Sequence, residues 1–434
     1  MDRLLIQGGH PLSGSVAASG AKNAALPIMA ASLLVDGRVE LARVPELGDV
    51  ATMSSLLESL GTSVARSSDG DMILHNENPS PCRAPYRLVR RMRAGICVLG
   101  PLVARRGRGV VPLPGGCRLG DRPIDIHLRG LAALGAEIRI ARGRIVAKAR
   151  RLRGARIDVS GPRGPTVTGT ANLLCAATLA QGTTILTGAA VEPEVVDLGN
   201  FLNASGALIF GLGTSQIEVR GVSQLFGNRW RLIPDRIEVA TLLLAGCITR
   251  GVVTVEQCAP QDLQGVIAAL NTIGAAVEVA GDRVTVDARR ALRAAHFEAC
   301  PHPGLPTDVQ PQLAACLATI LGRSSIQDMV FPDRFAHVAE LNRFGAQLVR
   351  LGDTTSIDGV RRLEGAPVTA PDLRAGAALV LAGLAAEGVT TVHNMRHVDR
   401  GYERLEDKLA ALGASVARRD WATTAWRSDV RLTA

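Results

Sequence analysis

Internal repetition limits the fold of this chain more than any other feature. A helical stretch closed by a glycine recurs six times, and a short apolar run follows it. The copies are Leu56-Leu57-Glu58-Ser59-Leu60-Gly61, Leu131-Ala132-Ala133-Leu134-Gly135 and Phe201-Leu202-Asn203-Ala204-Ser205-Gly206, then Leu270-Asn271-Thr272-Ile273-Gly274, Leu341-Asn342-Arg343-Phe344-Gly345 and Leu409-Ala410-Ala411-Leu412-Gly413. Successive glycines are 74, 71, 68, 71 and 68 residues apart, a near-constant period. A second series, Gly37, Gly109, Gly182, Gly251, Gly322 and Gly388, keeps the same rhythm. Each of these follows an Ala/Leu-rich stretch and precedes a β-rich run such as Thr183-Thr184-Ile185-Leu186. Glycine is expected just after a helix, where a left-handed turn costs no Cβ clash. Each unit therefore holds two helices and several strands, and the chain is α/β. Six units suggest two domains of three, with the midpoint near Asn228-Arg229-Trp230-Arg231. A cleft between two similar lobes is then the first place to look for a ligand. The competing arrangement is a stacked array without a cleft.

Composition narrows the function classes. Apolar residues make up 47% of the 434 and aromatics only 3%, so the core must be aliphatic. The net charge of +9 allows nucleic acid, a membrane surface or small anions as partners. The basic residues are scattered and no aromatics are interleaved with them, which argues against a basic nucleic-acid-binding repeat protein. Eight cysteines show no CxxC pair and no zinc-like spacing, so reduced core thiols are expected and no metal site. No run approaches the roughly 20 apolar residues of a membrane span, and no signal peptide is recognisable. The expectation is a cytoplasmic protein with no membrane or obligate protein partner.

Four constellations carry possible chemistry. Ser19-Gly20-Ala21-Lys22-Asn23-Ala24-Ala25-Leu26-Pro27 places Lys22 at a helix start, available to an anion. It is not a Walker loop, because its glycine spacing is wrong. Pro114-Gly115-Gly116-Cys117-Arg118 sets a thiol beside guanidinium charge, which favours thiolate; the plain alternative is an exposed cysteine in a turn. Arg122-Pro123-Ile124-Asp125-Ile126-His127 offers Arg122 as an anion clamp and Asp125 as an acceptor for a base N–H. His127 alone reads as a structural histidine. In the second half, Pro306-Thr307-Asp308, Asp333-Arg334, Asp372-Leu373-Arg374 and Asp399-Arg400 stand in successive repeats, suited to gathering arginines round one anion. Surface Asp–Arg pairs by themselves mean little.

Taken in order, Ser19 to Leu26, Leu113 to Cys117, Arg122 to His127, Pro306 to Asp308, Asp372 to Arg374 and Asp399 to Glu403 resemble the enolpyruvyl transferase family, over residues 1 to about 419. The resemblance implies a two-domain inside-out α/β barrel of six βαβαββ repeats, three per domain. The first domain would comprise residues 23–231. The second would comprise residues 1–22 and 232–434, with the tail 420–434 outside the match. It also implies transfer of the enolpyruvyl group of phosphoenolpyruvate to a hydroxyl of a uridine nucleotide, with no cofactor. Lys22, Arg122 and Arg400 would hold the phosphate of phosphoenolpyruvate, with Asn23 beside it, and Arg334, Arg374 and Arg400 its carboxylate. Asp308 would take the proton of the acceptor hydroxyl. Cys117 would protonate the methylene carbon, and is able to form a thioether adduct. Asn23, Arg93, Arg122, Pro123, Ile124, Asp125, Ile126, Thr166, Asp308 and Val330 would contact the nucleotide.

Four positions depart from the family pattern. Thr166-Val167-Thr168-Gly169-Thr170 stands where Ser-Val-Gly-Ala-Thr is usual near the diphosphate. Gly164 and Gly48 occupy positions where lysines are found, and Cys97 replaces a bulkier residue. Two acceptors therefore stay open: the 3-hydroxyl of UDP-N-acetylglucosamine, in the first committed step of peptidoglycan synthesis, or the ribose 3′-hydroxyl of UMP, in peptidyl-nucleoside antibiotic biosynthesis.

Overall fold

The repeat becomes six separate sheets around buried helices. The computed structural model describes residues 2–68, 70–113 and 124–419. The third unit shows the pattern: strand Arg156–Asp158, helix Val167–Ala177, strand Thr183–Thr187, helix Pro193–Ala204, then strands Leu208–Phe210 and Gln216–Arg220. The 156–158 strand lies parallel to 183–187, which is antiparallel to 216–220, which is antiparallel to 208–210. The fifth unit repeats this order with 296–299, 322–328, 354–359 and 347–351. In the second unit the parallel edge strand shrinks to one bridge, Arg83 to Val110. The sheets are open and mixed, and among the described residues no strands close into a continuous cylinder. The inside-out character lies in the helices, which are inside.

The chain closes each set of three units with a strand from far away in sequence. Arg229–Arg231 lies parallel to Arg38–Ala42 and completes the first sheet. Ser13–Ala17 completes the fourth beside Val252–Glu256, and Arg3–Gln7 completes the sixth between Val389–His393 and Ser415–Arg419. Two aliphatic cores result. One runs from Ala21 to Leu232; the other joins Leu4–Ala18 to Ile237–Leu412.

The first helix of each unit is apolar all round, as a helix surrounded by others must be. In Arg236–Ile248 every residue after Arg236 is buried, whereas the unit's second helix, Gln264–Thr272, buries only Val266, Ala269 and Leu270. Each fully buried leucine of the inner helix contributes about 1.5–3 kcal/mol. All six glycines of the first series adopt positive φ, between 79° and 102°. The second series departs from expectation at two places. Gly109 and Gly251 are not left-handed; Gly107 and Arg250 take that turn instead. Gly251 is needed for space, since a Cβ there would sit 1.9 Å from the Leu12 carbonyl oxygen.

The chain passes between the lobes twice, side by side. Ala21 N donates to Ile233 O at 2.8 Å, and Asp235 N to Ser19 O at 2.9 Å. Gly20, at the centre of this pairing, would place a Cβ 1.8 Å from the Arg43 carbonyl oxygen. Backbone cannot yield as a side chain can, so G20A is expected to cost about 1–3 kcal/mol. Chemical denaturation checks it; an unchanged midpoint would show that the crossover tolerates the methyl.

Candidate active site

The starts of the inner helices supply part of the charged set, and Asp49 in the first turn of Gly48–Ser59, Arg334 before His337–Asn342 and Arg400 at the end of the 3₁₀ segment Met395–Arg400 supply the rest. Lys22 is the first residue of helix Lys22–Ala31, and Arg93 opens the short 3₁₀ segment Arg93–Val98 that leads into Leu99–Arg106. Thr166, Asp235 and Asp372 are N-caps of Val167–Ala177, Arg236–Ile248 and Leu373–Ala385; Asp308 stands two residues before Gln310–Leu317. Helix N-termini favour negative charge, so such a set predisposes a site to anions. Asp235 does double duty: its Oδ1 accepts from Ile237 N and Glu238 N, while its Oδ2 accepts from Lys22 N at 3.2 Å. One carboxylate thus caps a helix of the second lobe and touches the start of a helix in the first.

Four cations meet two carboxylates here. Asp308 accepts from Arg334 Nη1 at 2.5 Å and from Arg374 Nη2 at 2.8 Å. Asp49, from the first lobe, accepts from Arg400 Nε at 2.9 Å and Lys22 Nζ at 3.3 Å. Gly401 lies against the lysine, because a Cβ there would be 3.2 Å from Lys22 Nζ. Arg334 and Arg374 are only 5% and 4% exposed. Arg334 Nε and Arg374 Nη1 are buried with no hydrogen-bond partner among the described residues. Such donors cost free energy unless a ligand accepts from them.

The charges tune one another. Burial alone would raise the Asp308 carboxyl, but Arg374 and Arg334 hold it well below the usual carboxylate range. Burial lowers Lys22, and Asp49 opposes that shift.

The predicted nucleotide residues are placed less uniformly. Asn23 follows Lys22 and is half-buried, as are Arg93 and Ile124. Asp125 is exposed and pairs with Arg129 at 3.4 Å, while Ile126 packs into the first core. Thr166 Oγ1 accepts from Gly169 N at 3.2 Å as a helix cap, which leaves its hydroxyl proton to donate. Val330 N donates to Asp328 Oδ1 at 3.0 Å, and Thr307 Oγ1 donates to Asp328 Oδ2 at 2.6 Å. Asp125 and Thr166 are not joined to the cation cluster by any hydrogen bond or ion pair among the described residues. Cys117, Arg122 and Pro123 lie outside the described residues. His127 is buried and bonded to Asn172 Nδ2 at 3.0 Å, and burial lowers its pKa to about 4, as befits a structural histidine.

Sequence reasoning missed Asp49 and Asp328, which orient the arginines and the Thr307–Asp308 turn. Arg334, Arg374 and Arg400 do not pair with their sequence neighbours: Asp333 binds Arg350, Asp372 caps its helix and Asp399 binds Arg418. The departures from the family pattern also gain physical meaning. Gly164 has φ 97° and would place a Cβ 3.2 Å from Pro301 Cγ; Gly48 would place one 3.9 Å from Arg400 Cγ. Cys97 is a core thiol pushed up to about 12 by burial. Among the described residues no group of three or more His, Cys, Asp or Glu side chains is arranged for a metal ion, and no helix is long and apolar enough to cross a membrane.

Removing one carboxylate should expose the tension. D308A leaves two buried guanidiniums unpaired and is expected to lose about 3–5 kcal/mol of unfolding free energy at neutral pH. Because the folded pKa is depressed, this stabilisation is present above the ordinary carboxylate pKa and is lost as pH falls through the lower folded value. Denaturation at several pH values should therefore show wild type and D308A converging in acid, and a constant gap would contradict the pairing.

Comparisons with known proteins identify relatives along nearly the whole chain. The family described as EPSP synthase (3-phosphoshikimate 1-carboxyvinyltransferase) matches residues 6–409. The UDP-N-acetylglucosamine 1-carboxyvinyltransferase of Akkermansia muciniphila is 48% identical, covering 96% of this chain and 99% of that protein. The protein of the same name from Halorhodospira halophila is 47% identical with the same coverage. Among solved structures, the enolpyruvyl transferase NikO from Streptomyces tendae superimposes with a TM-score of 0.86 at 28% identity, over 96% of this chain and 98% of that one. EPSP synthase from Acinetobacter baumannii shares the fold, with a TM-score of 0.74 at 19% identity over 97% of this chain and 100% of that one.

Proposed function

The chain belongs to the EPSP synthase (3-phosphoshikimate 1-carboxyvinyltransferase) family, and from that premise we propose that it transfers the enolpyruvyl group of phosphoenolpyruvate to the 3-hydroxyl of UDP-N-acetylglucosamine, releasing phosphate. The observation that carries the reading is the group of four cations on two carboxylates, with buried guanidinium N–H donors left over for a small polyanion. The acceptor follows the relatives that are 48% and 47% identical over nearly the whole chain and are named for it. Such a reaction belongs to peptidoglycan synthesis. A cytoplasmic setting is part of the proposal, and the seven unpaired cysteines among the described residues are in keeping with it.

Phosphoenolpyruvate would lie with its phosphate on Lys22, Arg122 and Arg400 and its carboxylate on Arg334, Arg374 and Arg400. Cys117 would give a proton to the methylene carbon, leaving a cationic centre at the carbon that bears the phosphate ester. The acceptor oxygen bonds to that carbon as its proton passes to Asp308, and a tetrahedral ketal forms. The carbon–oxygen bond to phosphate then breaks, phosphate leaving with the proton held by Asp308, and the Cys117 thiolate takes a methyl proton, which restores the vinyl group. Fixed cations stabilise the charge of the departing phosphate, and positioned acid–base groups handle each proton.

Asp308 is held too acidic in the free site to be a strong base. Substrate changes this. A carboxylate seated on Arg334 and Arg374 adds negative charge beside Asp308, raises its proton affinity and makes it a better base when the acceptor is present.

Phosphate release tests the reading. Release is expected with phosphoenolpyruvate and UDP-N-acetylglucosamine; release with UMP alone would move the acceptor to the monophosphate, and none with any uridine nucleotide would sink the proposal. A second measurement reads Lys22, which must be protonated to hold phosphate. Asp49 raises its pKa against burial, so D49N should move the alkaline limb of kcat/KM for phosphoenolpyruvate to lower pH. An unmoved limb would take Lys22 out of that role.

A further inference from the structure

Beneath the arginine cluster lies a buried polar triad that the reaction scheme does not use. Tyr402 is 2% exposed, and its hydroxyl is 2.9 Å from both Thr241 Oγ1 and Gln312 Nε2. Thr241 comes from helix Arg236–Ile248 and Gln312 from Gln310–Leu317, so two inner helices grip the phenol. The proton directions follow from donor count. Thr241 has one hydroxyl proton, which goes to the Ile237 carbonyl at 2.8 Å. Its oxygen must therefore accept from Tyr402, while Gln312 donates to both oxygens, at 2.9 Å to Tyr402 and 3.2 Å to Thr241. The phenol is tethered as a donor on one side and an acceptor on the other.

The ring so tethered carries Arg374. The guanidinium carbon lies 5.4 Å from the ring centroid, within the range at which a ring face attracts a cation. Lys22 lies close enough to oppose the charge of Arg374, while Asp308, Tyr402 and Asp235 favour it. Asp308 holds only Nη2, and Nη1 stays buried without a partner.

We propose that Tyr402 is a positioning residue: its ring, anchored by Thr241 and Gln312, sets the plane of Arg374 so that Nη1 faces the carboxylate of phosphoenolpyruvate. This rests on the reading of Arg374 as a phosphoenolpyruvate contact. Tyr402 acts through Arg374, so its removal should weaken one substrate and spare the other.

The test is the ratio of the two KM values, for phosphoenolpyruvate and for UDP-N-acetylglucosamine, in three variants. Y402M fills the space without an aromatic face and should raise KM for phosphoenolpyruvate about tenfold. Y402F keeps the ring and loses the tether, and T241V removes the acceptor of the phenol proton. Each should give a smaller rise, about threefold. In all three the nucleotide KM should stay within about twofold of wild type, because a cation–ring contact confined to one substrate's clamp transmits to that substrate alone. Thermal melting identifies the folded variants, and if Y402M does not fold, Y402F and T241V decide. A KM ratio equal to wild type in the folded variants, or both KM values rising together, overturns the proposal. Wild type serves as the control, since failure of its own phosphate release would refute the transferase reading and not the positioning role.

Discussion

Everything in the site depends on two carboxylates that allow four cations to be held together. Like charges about 4 Å apart repel by roughly 4 kcal/mol at the effective dielectric of a protein near its surface. Lys22, Arg334, Arg374 and Arg400 would therefore scatter unless paired. Asp308 and Asp49 hold them, each bridging two cations. Two negative charges do not neutralise four positive ones, and the residue of positive field is what draws a polyanionic substrate. The same carboxylates fix the direction in which the remaining N–H donors point.

The fold makes such a gathering possible. The first helix of each unit is the inner one, and Lys22, Asp308 and Arg374 stand at or just before the start of such helices. Three such helices in each lobe bring their starts together from residues that are hundreds of positions apart. Small residues let them pack closely: a Cβ on Gly100 of Leu99–Arg106 would meet the carbonyl oxygen of Asn172 in Val167–Ala177 at 2.2 Å. The outer sheets cover the apolar helices. The strands Arg3–Gln7, Ser13–Ala17 and Arg229–Arg231 close the lobes by returning from distant positions, and so fix the two crossovers beside Lys22 and Asp235.

Much of this was legible in the sequence, and what was not has definite causes. The six-fold period was visible because a left-handed turn after a helix favours glycine, a requirement that acts locally. The unit composition followed for the same reason. The cations were legible as a motif set, but their partners were not. Arg400 pairs with Asp49, 351 positions away, and no local rule reaches so far. Adjacency carries no pairing information here, since Asp333 binds Arg350, Asp372 caps its own helix and Asp399 binds Arg418. For the nucleotide residues a motif match gives a place and not an orientation. Ile126 sits at the expected position with its side chain in the core, and Thr166 Oγ1 accepts a helix-cap bond. Cys117, Arg122 and Pro123 rest on sequence alone.

Asp49 also bridges the two lobes at the cation cluster. It belongs to the first lobe, and Arg400 to the second. Lys22 uses one of its three ammonium protons on Asp49, and Arg400 uses Nε and, at 3.5 Å, Nη2. Both keep donors for a phosphate, so a ligand there joins an existing bridge and does not have to displace it. A second bridge runs beside the first: Glu403 accepts from Glu46 N at 2.6 Å and from Ser19 Oγ at 2.7 Å. Residues 400–403 thus grip residues 46–49 at both ends. An anion held by Lys22 and Arg400 binds only where the two lobes meet, so its free energy of binding favours the closed arrangement by that difference and no more.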